Sequence, residues 1–270
     1  MAQGRAATGR IHSTVPQDLT VAALTDVHGN AFAAGAVVAD MQRFRPDVIV
    51  NLGDQVWGQA DPRRALDLQQ SLNAVEVRGN NDERLTMPAE ALAPAHVRLQ
   101  AWLAERLPES ERVRLATLPL TATIAEGTVL AAHGTPTSAW DSLMLEWNGQ
   151  AYVHWNAGEV QNRLGRDLPD GVEVVLVGHT HREYVRTLGN LLLVNVGSVS
   201  FQNDGDPRAR WTLLRRRRGR WSAQHRRVPY DWDAAAAWVL ANRPVFPGEV
   251  DLHLRPVTDA LLDAATSPAD

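Results

Sequence analysis

Three short apolar runs, residues 19–24, 47–52 and 74–77, are separated by two stretches of helical character, and a polar residue of metal-ligand type follows each run. Strands that run the same way need a crossover of a dozen or more residues, so a β-α-β-α-β order predicts parallel neighbours and an α/β architecture. Asn30 suits the N-cap of a helix over 31–44, whose alanines and apolar spacing favour that state. Asp61-Pro62 opens a second helix through about residue 72, because aspartate caps and proline fits the first turn.

The same reading continues along the chain. Residues 88–118 are mainly helical, with Leu99, Trp102, Leu103 and Leu107 at helical spacing. Residues 120–124 and 128–132, parted by Glu126-Gly127, form a hairpin pair. Residues 138–168 carry Trp140, Trp147 and Trp155 without a clear period. Strands return at 172–177, 184–188 and 191–194, with Gly189-Asn190 turning the last two. A further hairpin spans 211–216 and 220–228, and a helix follows over 231–242. With no repeat and no Ser/Gly-rich linker, the expectation is a single domain over 19–245, a loose arm over 1–18 and a tail over 246–270.

Composition removes several function classes. The chain has no cysteine, so thiolate metal sites, disulfides and a cysteine nucleophile are excluded. A net charge of -4 argues against a general nucleic-acid binder, which is normally basic. No stretch approaches the roughly 20 apolar residues of a membrane span, and the first residues resemble no secretion signal. A soluble, cytoplasmic protein is expected.

What remains is chemistry at strand ends. Asp26-Val27-His28 follows the first run, and two residues apart in extended backbone these side chains point the same way. Gly53-Asp54 follows the second; a carboxylate has two oxygens and can bridge two cations. Gly79-Asn80-Asn81-Asp82 follows the third, where Asn80 offers a neutral carbonyl ligand. His133 follows 128–132, and Gly178-His179-Thr180-His181 follows 172–177 with two imidazoles expected on one side. Singly each segment also reads as a turn, a cap or a core histidine. Five of them at strand ends point to two divalent cations held side by side, a device for in-line attack on phosphorus. The remaining histidines, His12, His96, His154, His225 and His253, have no such setting and read as structural or surface residues.

Taken in order, these segments resemble the calcineurin-like metallophosphoesterase superfamily, whose pattern is Asp-x-His, Gly-Asp, Gly-Asn-His-Asp or -Glu, a later His, and Gly-His-x-His. The likeness spans about 19–230 and extends to a subgroup of small bacterial and archaeal enzymes similar to the YfcE phosphodiesterase. It implies a four-layer α/β/β/α sandwich of two mixed sheets flanked by helices. It also implies one metal on Asp26, His28 and His181, a second on Asn80, His133 and His179, and Asp54 bridging them. A hydroxide between the metals would be the nucleophile. Manganese is the first candidate, with iron, zinc or nickel also compatible with mixed oxygen and imidazole ligands.

One departure alters the expected chemistry. Asn81 stands where much of the superfamily has the histidine that protonates the leaving alcohol, and an amide is no acid near neutral pH. Asp82, which would orient that histidine, keeps a carboxylate with altered duty. This predicts slow action on poor alkoxide leaving groups and better action on activated esters or phosphoanhydrides. Arg78 and Arg182 flank ligand segments and are candidates to grip phosphate; Trp57 could stack on a base or cap the pocket. The Arg215–Arg218 run reads as a charged hairpin tip.

The expected activity is metal-dependent hydrolysis of phosphate mono- or diesters, with small diesters or nucleotides favoured. Phosphoprotein phosphatase and dinucleoside polyphosphate hydrolase are alternatives with the same ligands. A non-catalytic interaction scaffold, the role of some relatives, predicts eroded ligands, whereas here every ligand position is filled.

Overall fold

The computed structural model describes residues 18–165 and 168–242. The expected arm, apart from Asp18, and the expected tail lie outside the described residues. The first half holds strand β1 (Leu19–Leu24), helix α1 (Ala31–Gln42), β2 (Val48–Asn51), α2 (Pro62–Gln70), the short β3 (Val75–Glu76), α3 (Asn80–Arg84), a single 3₁₀ turn, α4 (Pro94–Ala104) and α5 (Glu109–Ala116). Strands β4 (Thr121–Ile124) and β5 (Val129–Ala132) come next, then β6 (Leu145–Trp147), β7 (Tyr152–His154) and α6 (Ala157–Leu164). The chain then forms β8 (Val174–Val177), β9 (Glu183–Leu188), β10 (Leu191–Val196), β11 (Ala209–Arg217), β12 (Arg220–Val228) and α7 (Trp232–Asn242).

Two five-stranded sheets result, ordered β12-β11-β1-β2-β3 and β4-β5-β8-β10-β9. In the first, β1, β2 and β3 are parallel and the β11–β12 hairpin is added antiparallel to β1. In the second, β5, β8 and β10 are parallel, with β4 and β9 antiparallel on the edges. The parallel strands are runs of valine, leucine and alanine because both of their faces are covered.

Alternate residues go to different layers. Val21, Ala23 and Val50 of the first sheet meet Val129, Ala131, Val174, Leu176 and Val194 of the second. On the outer face, Ala22 and Leu24 pack under Ala34, Val37 and Met41 of α1. Val175, Val177 and Leu193 pack under Val160 and Leu164 of α6. Each such valine, leucine or methionine side chain contributes about 1.5–3 kcal/mol relative to exposure. The result is the expected four-layer α/β/β/α sandwich. Among the described residues, no helix is long and apolar enough to cross a membrane.

The segment without a readable period, 138–168, supplies the three-residue strands β6 and β7 as a separate hairpin, then α6. The Arg215–Arg218 run lies at the end of β11, where Arg217 pairs with Arg220 across the turn. Leu99, Trp102, Leu103 and Leu107 do share one buried face, packed with Trp57, Leu66 and Leu85.

Candidate metal centre

Parallel strands deliver their carboxyl ends to one edge, and the ligand-type residues meet there. Asp26, His28, Asp54 and Asn80 come from the ends of β1, β2 and β3; His133, His179 and His181 come from β5 and β8. Asp26, Asp54 and His133 are at most 1% exposed. His181, at 18%, marks the open side.

The local backbone differs from the extended form that the two-residue spacing suggested. Asp26, His28, Asp54, His179 and His181 all lie in the left-handed region, with φ of 54°, 47°, 57°, 68° and 57°. Each side chain is turned inward by a tight bend after the strand, so convergence here is a property of turns and not of pleat. For residues other than glycine this conformation costs about 1–2 kcal/mol each, and such strain concentrates where the fold over-determines a site. Glycines permit the close approach. A Cβ on Gly79 would lie 2.0 Å from Asp54 Oδ1, and one on Gly178 would lie 2.3 Å from Thr25 Oγ1 and 2.8 Å from Asp26 Oδ2.

The atoms then sort into those held and those left open. Asp26 Oδ2 accepts from Thr25 Oγ1 at 2.8 Å and from the His179 N–H at 3.1 Å. Asp26 Oδ1 is buried with no hydrogen-bond donor. Around it stand the Nε2 atoms of His181 at 3.3 Å, His28 at 3.7 Å and His133 at 3.9 Å. An anionic oxygen buried without a donor costs several kcal/mol unless a cation meets it. Asp54 Oδ2 lies 3.5 Å from His133 Nε2 and 3.7 Å from His28 Nε2, facing both groups of ligands. Asn80 Oδ1 is 3.1 Å from His133 Nε2 and 3.1 Å from His179 Nδ1. Asp26, His28 and His181 form one set within metal-ligand reach, and Asp26, Asp54 and His133 form another. An orphaned oxygen ringed by imidazole nitrogens fits a divalent cation.

Three imidazoles are oriented from behind by backbone. Nδ1 of His28, His133 and His181 faces the carbonyls of Trp57, Leu52 and Phe201 at 3.0, 2.8 and 2.9 Å. With Nδ1–H donating to a carbonyl, the Nε2 lone pair is left for a metal. His179 presents Nδ1 to the cluster instead. The Phe201 ring stacks on His28 at 4.3 Å.

The electrostatics follow from burial and charge. Burial opposes ionisation of Asp26, yet His181 and His133 beside it hold its carboxyl well below the usual range. Burial likewise opposes ionisation of Asp54, and His133 and His28 overcome it. Burial disfavours the imidazolium of His133 and of His181, but Asp54 and Asp26 raise the first and Asp26 raises the second. His179 goes the other way, lowered to about 4 by burial and then by the charge of His133.

The other expected site residues fall into distinct places. Asn81 donates from its backbone N–H to Asp54 Oδ1 at 2.8 Å and from its amide to Asp54 Oδ2. Asp82 is fully buried and accepts the N–H groups of Asp54, Gln55 and Gly79 at 2.8, 3.0 and 2.8 Å. It therefore clamps the end of β2 to the start of α3. Burial and the Asp54 charge push its carboxyl up to about 7, against those three donors. The Trp57 indole is packed into the helical cluster, 1% exposed, and reaches the centre only through its carbonyl. The Arg78 guanidinium is turned away to Glu83 Oε1 at 2.7 Å and the Leu118 carbonyl at 2.9 Å. Arg182 stands at the rim beside His181, over the Tyr152 ring at 5.3 Å, and donates to the Asn203 carbonyl.

Of the remaining histidines, His96 meets the Trp57 ring edge-on, His154 lies against Tyr184 and His225 pairs with Thr212 Oγ1. His12 and His253 lie outside the described residues. Sequence reasoning missed Thr25, Arg84, Trp140 and Phe201. Thr25 adjoins a ligand, which is the one signal that could have found it. It also gave Asn195 no role. Asn195 donates to the Gly178 carbonyl at 2.8 Å and the Thr180 hydroxyl at 3.0 Å, bracing the turn that carries His179 and His181.

Comparison with known proteins bears on the family and the fold. The model of the calcineurin-like phosphoesterase superfamily domain matches residues 19–215. An uncharacterized protein of Methanocaldococcus jannaschii, MJ0912, is 25% identical over 252 residues, covering 85% of this chain and 96% of the relative. The structure of a metallophosphoesterase from Sphaerobacter thermophilus superposes with a TM-score of 0.64 at 24% identity, over 84% of this chain and 95% of that one. Hypothetical protein PH1004 from Pyrococcus horikoshii OT3 gives 0.69 at 18% identity, over 83% and 94%.

Proposed function

Because the chain belongs to the calcineurin-like phosphoesterase superfamily and is a phosphoric-ester hydrolase, we propose that it is a two-metal phosphodiesterase acting on small phosphorylated substrates with good leaving groups. The observation that carries this reading is the buried, donorless Oδ1 of Asp26 within reach of three imidazole nitrogens. Asp26, His28 and His181 would hold one cation, and Asn80, His133 and His179 the other, with Asp54 between them. When bound, the cations supply a hydroxide at neutral pH and neutralise charge on the phosphoryl oxygens. Manganese is the first candidate, since mixed oxygen and imidazole donors suit it along with iron, zinc or nickel.

The protein's own contribution is orientation. Thr25 and the His179 N–H fix Asp26, three backbone carbonyls fix the rings, and Asn81 fixes both Asp54 oxygens. Arg182 at the rim is suited to a phosphate oxygen, while Arg78 supports the fold around α3. Asn81 holds no transferable proton, a deficit worth roughly 10²–10⁴ in rate for an alkoxide leaving group. Purified protein should retain two divalent ions per chain and hydrolyse bis-nitrophenyl phosphate, losing both properties in Asp54→Ala. A protein loaded with manganese that turns over neither this diester nor a nitrophenyl monoester overturns the proposal.

A further inference from the structure

A sequence of contacts leads outward from the centre and ends on a cation with spare donors. Asp54 is bonded by Asn81, and the Asn81 amide oxygen accepts from Arg84 Nη1. The Arg84 guanidinium lies 4.7 Å over the Trp140 ring. The Trp140 indole N–H donates to Glu83 Oε2 at 2.6 Å, and the other Glu83 oxygen takes Arg78 at 2.7 Å. Gln100 fixes the backbone by donating to the Arg84 carbonyl at 2.7 Å. Arg84 is thus half-buried, oriented by a ring face and an amide, and paired with no carboxylate among the described residues.

A guanidinium has five N–H donors and stays charged near neutrality. The bond to Asn81 uses one of them. Desolvating an arginine without a carboxylate partner is unfavourable, so a site that does so is suited to an anion that arrives with a ligand. Asp54, one bond further in, is already committed to Asn81 and faces the candidate metal ligands. Phosphorus can enter only from the open side, because Asp26, Asp54 and His133 are buried. In-line displacement then sends the leaving oxygen away from that floor, and the partly exposed Arg84 is joined to the floor through Asn81.

We propose that Arg84, mounted on Trp140, forms a subsite for a second phosphate beyond the one attacked, which makes phosphoanhydrides the substrate class. The inference rests on the phosphoesterase reading and deepens it. In the reaction, the water-derived oxygen bonds to phosphorus as the bridging P–O bond breaks. The bonding pair leaves on the oxygen of the departing phosphate. A terminal phosphate has a second pKa of about 6 and departs without taking a proton, whereas an alkoxide needs one. Arg84 stabilises that departing charge, and Asn81 has no acid to supply because none is required.

The test compares wild type, Arg84→Lys, Arg84→Met and Trp140→Leu, each loaded with manganese and checked for metal content. Rates are measured on a dinucleoside tetraphosphate and on bis-nitrophenyl phosphate, and pyrophosphate affinity is measured by calorimetry. The anhydride-to-ester ratio of kcat/KM should fall roughly 10–100-fold in Arg84→Met, with pyrophosphate affinity falling alongside. Lysine should restore part of both, and Trp140→Leu should give an intermediate loss. Equal losses on the two substrates, or pyrophosphate affinity unchanged in Arg84→Met, overturn the subsite. If wild type turns over neither substrate, the phosphoesterase reading fails, and the calorimetric comparison still decides the subsite.

Discussion

The two sheets bring different chemistry to the same edge. The first contributes the candidate oxygen ligands, Asp26, Asp54 and Asn80, with His28 as its one imidazole; the second contributes only imidazoles, His133, His179 and His181. They are also secured differently. The oxygens take side-chain donors beside backbone ones, the Thr25 hydroxyl with the His179 N–H for Asp26 and the Asn81 amide with its own N–H for Asp54. Three of the imidazoles depend on backbone carbonyls, which no substitution removes. An imidazole has one nitrogen to give and one to anchor, so a carbonyl behind it suffices. A carboxylate can rotate to offer either oxygen, so its geometry needs a donor on one of them.

That contrast orders the expected effects. The largest belongs to Asp54, whose Oδ2 faces ligands from both sheets. Asp54→Ala should lower kcat by about 10³-fold or more, since metal stabilisation of the transition state is worth several kcal/mol. Metal analysis should find fewer than two ions per chain. A variant that keeps both ions would mean that the sheets hold their cations separately.

The second effect sets protons against metal. Burial opposes the charged forms of His133 and His181, but the neighbouring aspartates leave both raised above 6.5. A raised folded-state pKa contributes stability that is fully present below the unfolded value and lost as pH rises through the folded one. Metal-free protein should therefore lose this contribution as pH climbs from 6.5 through the raised values. Metal binding has the opposite sign, because a cation must displace those protons. Apparent affinity should fall by up to about 100-fold per pH unit where both rings are protonated. Titrations at pH 8 and pH 6 that give equal affinities would show that the imidazoles carry no proton in the metal-free state.

Third is the asymmetry in anchoring. Thr25→Val keeps the shape but removes the hydroxyl from Asp26 Oδ2, and outer partners of metal ligands are typically worth 10–100-fold in affinity. Phe201→Leu keeps the carbonyl that orients His181 and should cost less. Isothermal metal titration of the two variants compares them directly; a larger loss for Phe201→Leu would reverse the ranking and make ring stacking on His28 the stronger restraint.

These anchors explain what could be read from the chain in advance. Apolar runs ending in Asp26, Asp54, Asn80, His133 and His179 mark strand ends, because burial of both sheet faces leaves valine, leucine and alanine little alternative. The inward turn of Asp26, His28, Asp54, His179 and His181 was not legible: spacing suggested extended backbone, and tertiary constraint imposed left-handed bends. Trp57 reads as a pocket residue from its place after Asp54, yet the apolar faces of α2 and α4 draw its indole inward. Arg78 and Arg84 look alike in sequence, six residues apart. Glu83 captures the first, while Trp140, more than fifty residues away, carries the second, and only the folded chain brings that tryptophan near. The β6–β7 hairpin is too short for any period to show.

The smallest effect tests the bends themselves. His181 has φ of 57° and is the most exposed of the residues in the two Asp/His sets, so replacing it disturbs packing least. His181→Ala and His181→Gly both remove the ring that faces Asp26 and both should weaken metal binding by a similar factor. They differ in backbone cost, because glycine adopts this conformation freely and alanine does not. Metal-free His181→Gly should be more stable than His181→Ala by about 1 kcal/mol, measured by urea unfolding at a pH where the remaining imidazoles are neutral. The sign is the informative part: elsewhere glycine for alanine lowers stability through the entropy of the unfolded chain. An alanine variant at least as stable as the glycine one would mean that the bend relaxes once the ring is gone, and that the ring's contacts hold the left-handed geometry in place.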